Sequence, residues 1–246
     1  MGQKANTNAL RRGSLFTWED TWYSANYPEL SHDNIKIREY LRRMMHAHSC
    51  VLGECRISVH TEEVHIYISF LRISDSTKVS AQAYGKVSRQ ARTCGEPGSP
   101  PWGEIQRILQ SRLEIPIELD YREDVEVFSN VNFLAGTLRY GIEAGGSAQL
   151  VMQELRGYFE EVRERGCPFV LADAYGAGYY YLKGIKITCL GRLSGSQNAM
   201  ASKESEFVGL IPTNFQRGHI RYSTQQAYTI RGTCGIKVWL FYKRKS

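Results

Sequence analysis

No apolar run in this 246-residue chain approaches the roughly 20 residues needed to cross a bilayer, so no membrane-spanning helix and no membrane partner are expected. Cysteine carries no metal or redox signature. The six, at 50, 55, 94, 167, 189 and 234, contain no Cys-x-x-Cys pair, and several fall within apolar stretches, which reads as buried thiols in a reducing compartment. Also missing are a Walker loop, a Gly-x-Ser-x-Gly elbow and a His-Glu-x-x-His helix. Gly176-Ala177-Gly178 lacks the third glycine and the following helix of a dinucleotide fingerprint, and His46 and His48 stand at the wrong spacing for a metal pair on a helix. The start, Met1 to Asn6, has neither the apolar core of a secretory signal nor the Arg and Ser periodicity of a transit peptide. These absences predict a binding protein with no catalytic residue, no cofactor and no metal.

What is present is an uneven distribution of charge. From Lys183 onward there are 11 Lys and Arg against 2 Glu, a balance of +9; the residues before it carry 20 against 23, a balance of −3. The excess falls on two stretches, Lys183 to Gly195 and Gly235 to Lys243, in which apolar and basic residues alternate at period two. Each reads as a strand burying one face and offering cations from the other. Clustered Lys and Arg gain affinity for nucleic acid by neutralising phosphates and releasing counterions, so the basic sheet is the predicted RNA surface. With 42% apolar residues, the chain is also able to bury a core.

The remaining elements follow in order. Residues 1 to 30 combine Lys4, Arg11 and Arg12 with Phe16, Trp18, Trp22, Tyr23 and Tyr27, a composition suited to an extended arm on RNA or on a neighbouring protein. Asp33 is a predicted N-cap for a helix to about His48, with Ile37, Leu41, Met44 and Met45 on one face and Arg38 and Arg42 on another, either touching RNA or solvated. Strands over 55–60 and 64–71 form a hairpin; 72–98 reads as an irregular insertion. A helix opens at Ser99-Pro100-Pro101-Trp102 and runs through Leu113, before a strand from Ile115 to Tyr121. A helix over about 125–140 breaks at Gly141 and again at Gly145-Gly146, a second is capped by Ser147 and stopped by Gly166, and 167–182 is an aromatic, glycine-rich crossing. Trp239 reads as core.

Certain residues resemble a known family. Met1-Gly2-Gln3-Lys4, Asn6, Arg11, Trp18 and Trp22 at the start, and Gly184-Ile185-Lys186, Gly191-Arg192-Leu193, Ile220-Arg221-Tyr222 and Gly235-Ile236-Lys237-Val238-Trp239 toward the end, are similar in order and spacing to the universal third protein of the small ribosomal subunit, the S-three family. Leu52 to Ile57 resembles its divergent mitochondrial members. The resemblance implies an α+β fold: an N-terminal extended arm, 1–30; a type II KH-like domain, 31–121, with the insertion at about 72–98; and a C-terminal domain, 122–246, of two helices on a four-stranded sheet.

It also implies a function: a structural constituent of the small-subunit head, near the messenger entrance, holding ribosomal RNA during translation. The RNA-binding residues expected are Lys4, Arg11, Arg12, Lys183, Lys186, Arg192, Arg217, His219, Arg221, Arg231, Lys237, Lys243, Arg244 and Lys245. The only candidate for the KH Gly-x-x-Gly loop at about the right distance before Ile115-Pro116, Gly95-Glu96-Pro97-Gly98, is degenerate, because Glu96 repels phosphate and Pro97 lacks an amide donor. In the stretch matching the family's basic, messenger-side helix, Arg139 alone remains. Implied partners are small-subunit ribosomal RNA, messenger RNA at the entrance channel, and the tenth and fourteenth small-subunit proteins. The implied location is a mitochondrial ribosome, organelle-encoded for want of a transit peptide, ahead of a bacterial or plastid one. Two other readings stand beside this: a free-standing KH-type RNA binder, and a nuclease or lyase on nucleic acid.

Overall fold

The computed structural model of the protein describes residues 6–21, 26–60, 63–73, 100–173, 176–193, 200–215 and 218–244. They divide into two units, one holding the described residues up to Thr17 and from Leu134 on, the other those from Trp18 to Phe133.

The middle unit is built on a four-stranded sheet of order β1-β2-β3-β4: β1 Asp20–Thr21, β2 Cys50–Val59, β3 Val64–Arg72 and β4 Ile117–Asp124. The β2/β3 pair is antiparallel, whereas β1 joins β2 and β4 joins β3 in parallel. Helix α1, Tyr27–Ala47, and helix α2, Trp102–Leu113, supply Ile37, Leu41, Met45, Ile105 and Leu109 to a core shared with Ile57, Ile66 and Ile68. Helix α1 begins six residues before the expected cap. Pro28 occupies its first turn, where a missing N–H costs nothing, and Asp33 lies inside, accepting a bond from Lys36 Nζ at 3.3 Å. Strand β2 also starts earlier than expected. Its pairing shifts between Leu52 and Cys55, and that bulge breaks the period-two pattern by which a strand is recognised.

In the other unit, helix α3 (Val131–Glu143, entering from the middle unit) and helix α4 (Ala148–Arg165) accompany five antiparallel strands. These are β5 Phe169–Asp173, β6 Gly176–Gly191, β7 Ser202–Gly209, β8 His219–Thr229 and β9 Gly232–Arg244. Of the two expected breaks, the one at Gly141 does not occur, and the one at Gly145 does, where a φ of +90° suits glycine. Gly166, at φ +62°, ends α4 where expected. Val151, Leu155, Phe159 and Val162 are buried, each contributing about 1.5–3 kcal/mol, and α4 packs on β6 and β7.

The sheet has one strand more than expected. Residues read as a crossing over 167–182 form β5 and the first half of β6, and β5 and β7 pair with successive stretches of β6. On its other side β6 pairs with β9, and β9 with β8.

The N-terminal arm closes this unit by side-chain bonds. Asn8 imitates a peptide against the outer edge of β8: its Nδ2 donates to Tyr222 O at 2.6 Å, and Tyr222 N donates to its Oδ1 at 2.8 Å. Arg11 donates to Gly218 O and Phe215 O, both at 2.8 Å, and to Thr7 O at 3.0 Å. The exposed edge of a basic sheet is thus occupied by the protein's own arm.

Candidate nucleic-acid interface

Strand register separates the two faces of the C-terminal sheet. Ile185, Ile187, Ile236, Val238, Leu240 and Tyr242 are buried on the helix-covered face. Their neighbours point outward. One row across the sheet is Phe207 of β7, Lys186 of β6, Trp239 of β9 and Tyr222 of β8; the next is Ser205, Thr188, Lys237 and Thr224. Lys203 and Lys243 lie on the same side by alternation, and among the described residues no Asp or Glu does. The two carboxylates of β7, Glu204 and Glu206, face the helices, where Glu206 accepts from Arg156 Nη1 at 3.4 Å.

Trp239 is therefore not core, which corrects the sequence reading. It is half-buried on the cationic face, with Lys186 Nζ 5.5 Å above its ring and Tyr222 5.0 Å away at 37°. The run Val238-Trp239-Leu240-Phe241-Tyr242 is continuously apolar, so its composition hides which residues alternate outward.

Ion pairing divides the cations into two sets. Arg38, Arg43, Arg56, Arg72, Arg122, Arg139, Arg156 and Arg165 each meet a carboxylate within 4 Å. Lys183, Arg192, Lys203, Lys237, Lys243 and Arg244 are exposed and meet none among the described residues, as do Arg42, Arg107 and Arg112 on the helices of the middle unit. Four cations, Arg163, Lys183, Lys243 and Arg244, line a cavity of about 1080 Å³ whose wall includes Leu210, Phe215 and Phe241 but no carboxylate. It opens beside the β6 bulge at Lys183, where Gly184 and Gly209 let two backbones approach so closely that a side chain on either would strike carbonyl oxygen.

Two expected RNA contacts are occupied internally. Arg11, 1% exposed, has its guanidinium committed to three carbonyls. Burial lowers its pKa from the ordinary arginine value. His219, 2% exposed, sits among the rings of Phe16, Tyr180 and Tyr242 at 4.8–5.8 Å, closed to phosphate. Burial in the same cluster pushes the Tyr242 hydroxyl upward. Arg221 is half-buried with its guanidinium 5.8 Å from the Phe16 ring, and Arg12 donates to Thr17 O at 2.7 Å. Arg231 is exposed in the β8–β9 turn. Arg139 pairs with Glu143 at 2.9 Å, the same carboxylate oxygen that accepts from Tyr228 N at 3.0 Å. Lys4, Arg217, Lys245 and the loop Gly95, Glu96, Pro97 and Gly98 lie outside the described residues.

Sequence reasoning missed Lys203, Phe207 and Arg163. Lys203, Ser205 and Phe207 do alternate in β7, a signal short enough to be lost beside Glu204 and Glu206. It also missed a surface cluster in the middle unit, where His65 meets Glu63 at 3.0 Å and Glu118 at 2.8 Å. Parallel pairing of His65 with Glu118 makes that cluster, and no local spacing reveals it. Cys167, read as buried, is exposed just beyond α4; Cys50, Cys55, Cys189 and Cys234 are buried.

Comparison with known proteins bears on the same region. A family model described as "Ribosomal protein S3, C-terminal domain" matches residues 171–240. Over 98% of its length the chain is 30% identical to "Small ribosomal subunit protein uS3" of Maricaulis maris, covering 87% of that protein. It is 29% identical to the protein of the same name from Gluconobacter oxydans, covering 90% of it, and 27% identical to that of Pelobacter propionicus, covering 96%.

Proposed function

The chain belongs to the uS3 family of small ribosomal subunit proteins, and from that membership we propose that it holds ribosomal RNA in the subunit head through its C-terminal basic sheet. Six exposed cations that meet no carboxylate among the described residues, gathered on or beside the C-terminal sheet, carry this reading. An unpaired surface cation loses no protein contact when it meets phosphate, so the counterion-release gain is kept whole. Arg11 and His219 serve the joint between arm and sheet, Arg12 donates to Thr17 O and Arg221 lies against the Phe16 ring. That leaves Lys183, Lys186, Arg192, Arg231, Lys237, Lys243 and Arg244, joined by Lys203, as the proposed contacts, with Lys4, Arg217 and Lys245 retained from the sequence.

The proposal extends to the finer organisation. We take 31–121 as a type II KH-like domain between the arm, 1–30, and the C-terminal domain, 122–246. The order helix, two antiparallel strands, helix, parallel strand supports it. A KH-loop clamp is not part of the proposal, given Glu96 and Pro97. Docking near the messenger entrance beside the tenth and fourteenth small-subunit proteins, in a mitochondrial ribosome, completes the reading. Its support is the likeness of Leu52 to Ile57 to mitochondrial members. Arg139 contributes no messenger contact, since Glu143 holds it.

Sucrose-gradient sedimentation tests the reading. The protein is expected to travel with small subunits at about 0.15 M salt, and Lys183→Glu with Arg244→Glu to release it at lower salt, because each lost phosphate contact removes roughly 0.7–0.9 of a unit from the salt slope. A protein that runs free of subunits under these conditions overturns the assignment.

A further inference from the structure

We propose that the outward face of the C-terminal sheet is a stacking platform for unpaired nucleotides, centred on Trp239, an inference that rests on the RNA-binding reading above and specifies the form of RNA it takes. The row Phe207–Lys186–Trp239–Tyr222 crosses four hydrogen-bonded strands and spans about 14 Å. That is room for two or three bases on a sheet surface. Phe207 is 54% exposed, and Trp239 and Tyr222 are partly buried with an edge still open to solvent. Aromatic residues left open on a sheet forgo apolar burial, and a flat base recovers it.

The chemistry of the neighbours selects the ligand. Lys186 lies between Phe207 and Trp239, Lys237 lies beside Trp239 in the next row, and Lys203 and Lys243 are at opposite ends of the face. All four cations lack a carboxylate partner, and no Asp or Glu shares the face among the described residues. Rings for bases and ammonium groups for the backbone are the two requirements of single-strand binding. A duplex presents its phosphates but hides the base faces, and so engages the lysines alone. An acidic protein segment likewise satisfies the lysines and leaves the rings without stacking partners. The observations therefore favour single-stranded RNA over both.

Titration of the full chain with a fluorescein-labelled single-stranded RNA 10-mer, and with the same 10-mer annealed to its complement, tests the platform. Trp239→Ala is expected to weaken single-strand binding about tenfold or more while leaving duplex binding and the salt slope unchanged, since stacking and not a phosphate contact is removed. Trp239→Phe is expected to retain most of the affinity. Phe207→Ala guards against misfolding, because an open side chain contributes little to the core; it is expected to weaken the single strand about threefold or more. Equal loss for single strand and duplex, or no loss in either, overturns the proposal. So does unchanged RNA affinity together with release of a neighbouring head protein from subunits carrying Trp239→Ala, which assigns the face to a protein. Failure of the unmodified chain to join subunits sinks the ribosomal reading instead, and leaves the single-strand preference to be judged on the titration.

Discussion

Replacing Arg11 by methionine removes every donor of the guanidinium while nearly keeping the length of the side chain, and its effect can be worked from the arm joint. Two of its three bonds, to Gly218 and Phe215, join segments more than 200 residues apart; the third, to Thr7, is local. Bonds from a charged donor contribute about 1.5–3 kcal/mol each, so the two long-range ones give a gross loss of about 3–6 kcal/mol. The variant no longer bears the desolvation that lowers the Arg11 pKa, and the carbonyls regain water as the arm lifts. A net loss of about 2–4 kcal/mol remains. Arg11→Lys keeps the charge but cannot reproduce the fork, and is expected to recover less than half. Guanidinium chloride unfolding measures the total. Amide exchange at Tyr222, whose N–H is held by Asn8 Oδ1, reports whether the arm has left. An Arg11→Met protein within about 0.5 kcal/mol of the parent, with Tyr222 still protected, refutes the idea that this guanidinium holds the arm.

Gly209→Ala combines a φ of +78° with a collision against the Lys183 carbonyl, and is expected to cost about 2–4 kcal/mol in thermal or chemical unfolding. Gly145→Ala, at φ +90° in open space, is expected to cost only about 1–2 kcal/mol; equal losses would show that the β6 bulge tolerates a methyl group. Burial raises the Cys189 thiol from 9.0 to about 12, and the Cys50 and Cys55 thiols to about 11. Because the folded values lie above the unfolded one, the stability these thiols contribute is whole below pH 9 and is lost as pH rises through the folded values. Unfolding midpoints are expected to fall across that alkaline window. Native alkylation at pH 8 followed by peptide mapping is expected to leave Cys50, Cys55 and Cys189 unmodified, and labelling of any of them at the rate of exposed Cys167 contradicts the burial.

The sequence revealed what depends on neighbours along the chain. Helix α4 was legible because Val151, Leu155, Phe159 and Val162 recur at helical spacing and Gly166 ends them. The basic character of β6 and β9 was legible because charge is additive. What escaped depends on partners far away in the chain. Arg11 and His219 are residue types that suit RNA, yet their environments are made by segments some 200 residues distant. Lys186 reaches the open face beside Trp239, although Leu182 four residues earlier is buried on the other, because the bulge at Lys183 shifts the alternation of β6. The bulge in β2 likewise concealed half a strand by inserting a residue into an otherwise regular alternation.

The clasp of Asn8 on Tyr222 spans 214 residues of chain, and that separation dictates an order of events during synthesis. The middle unit draws its described residues from one interval, 18 to 133, and has all its pairing partners once that interval has emerged. The arm is made before the middle unit and finds its seat only when β8 and β9 have been translated. While the intervening residues are made the arm therefore waits unseated, and its closure is a step of high contact order.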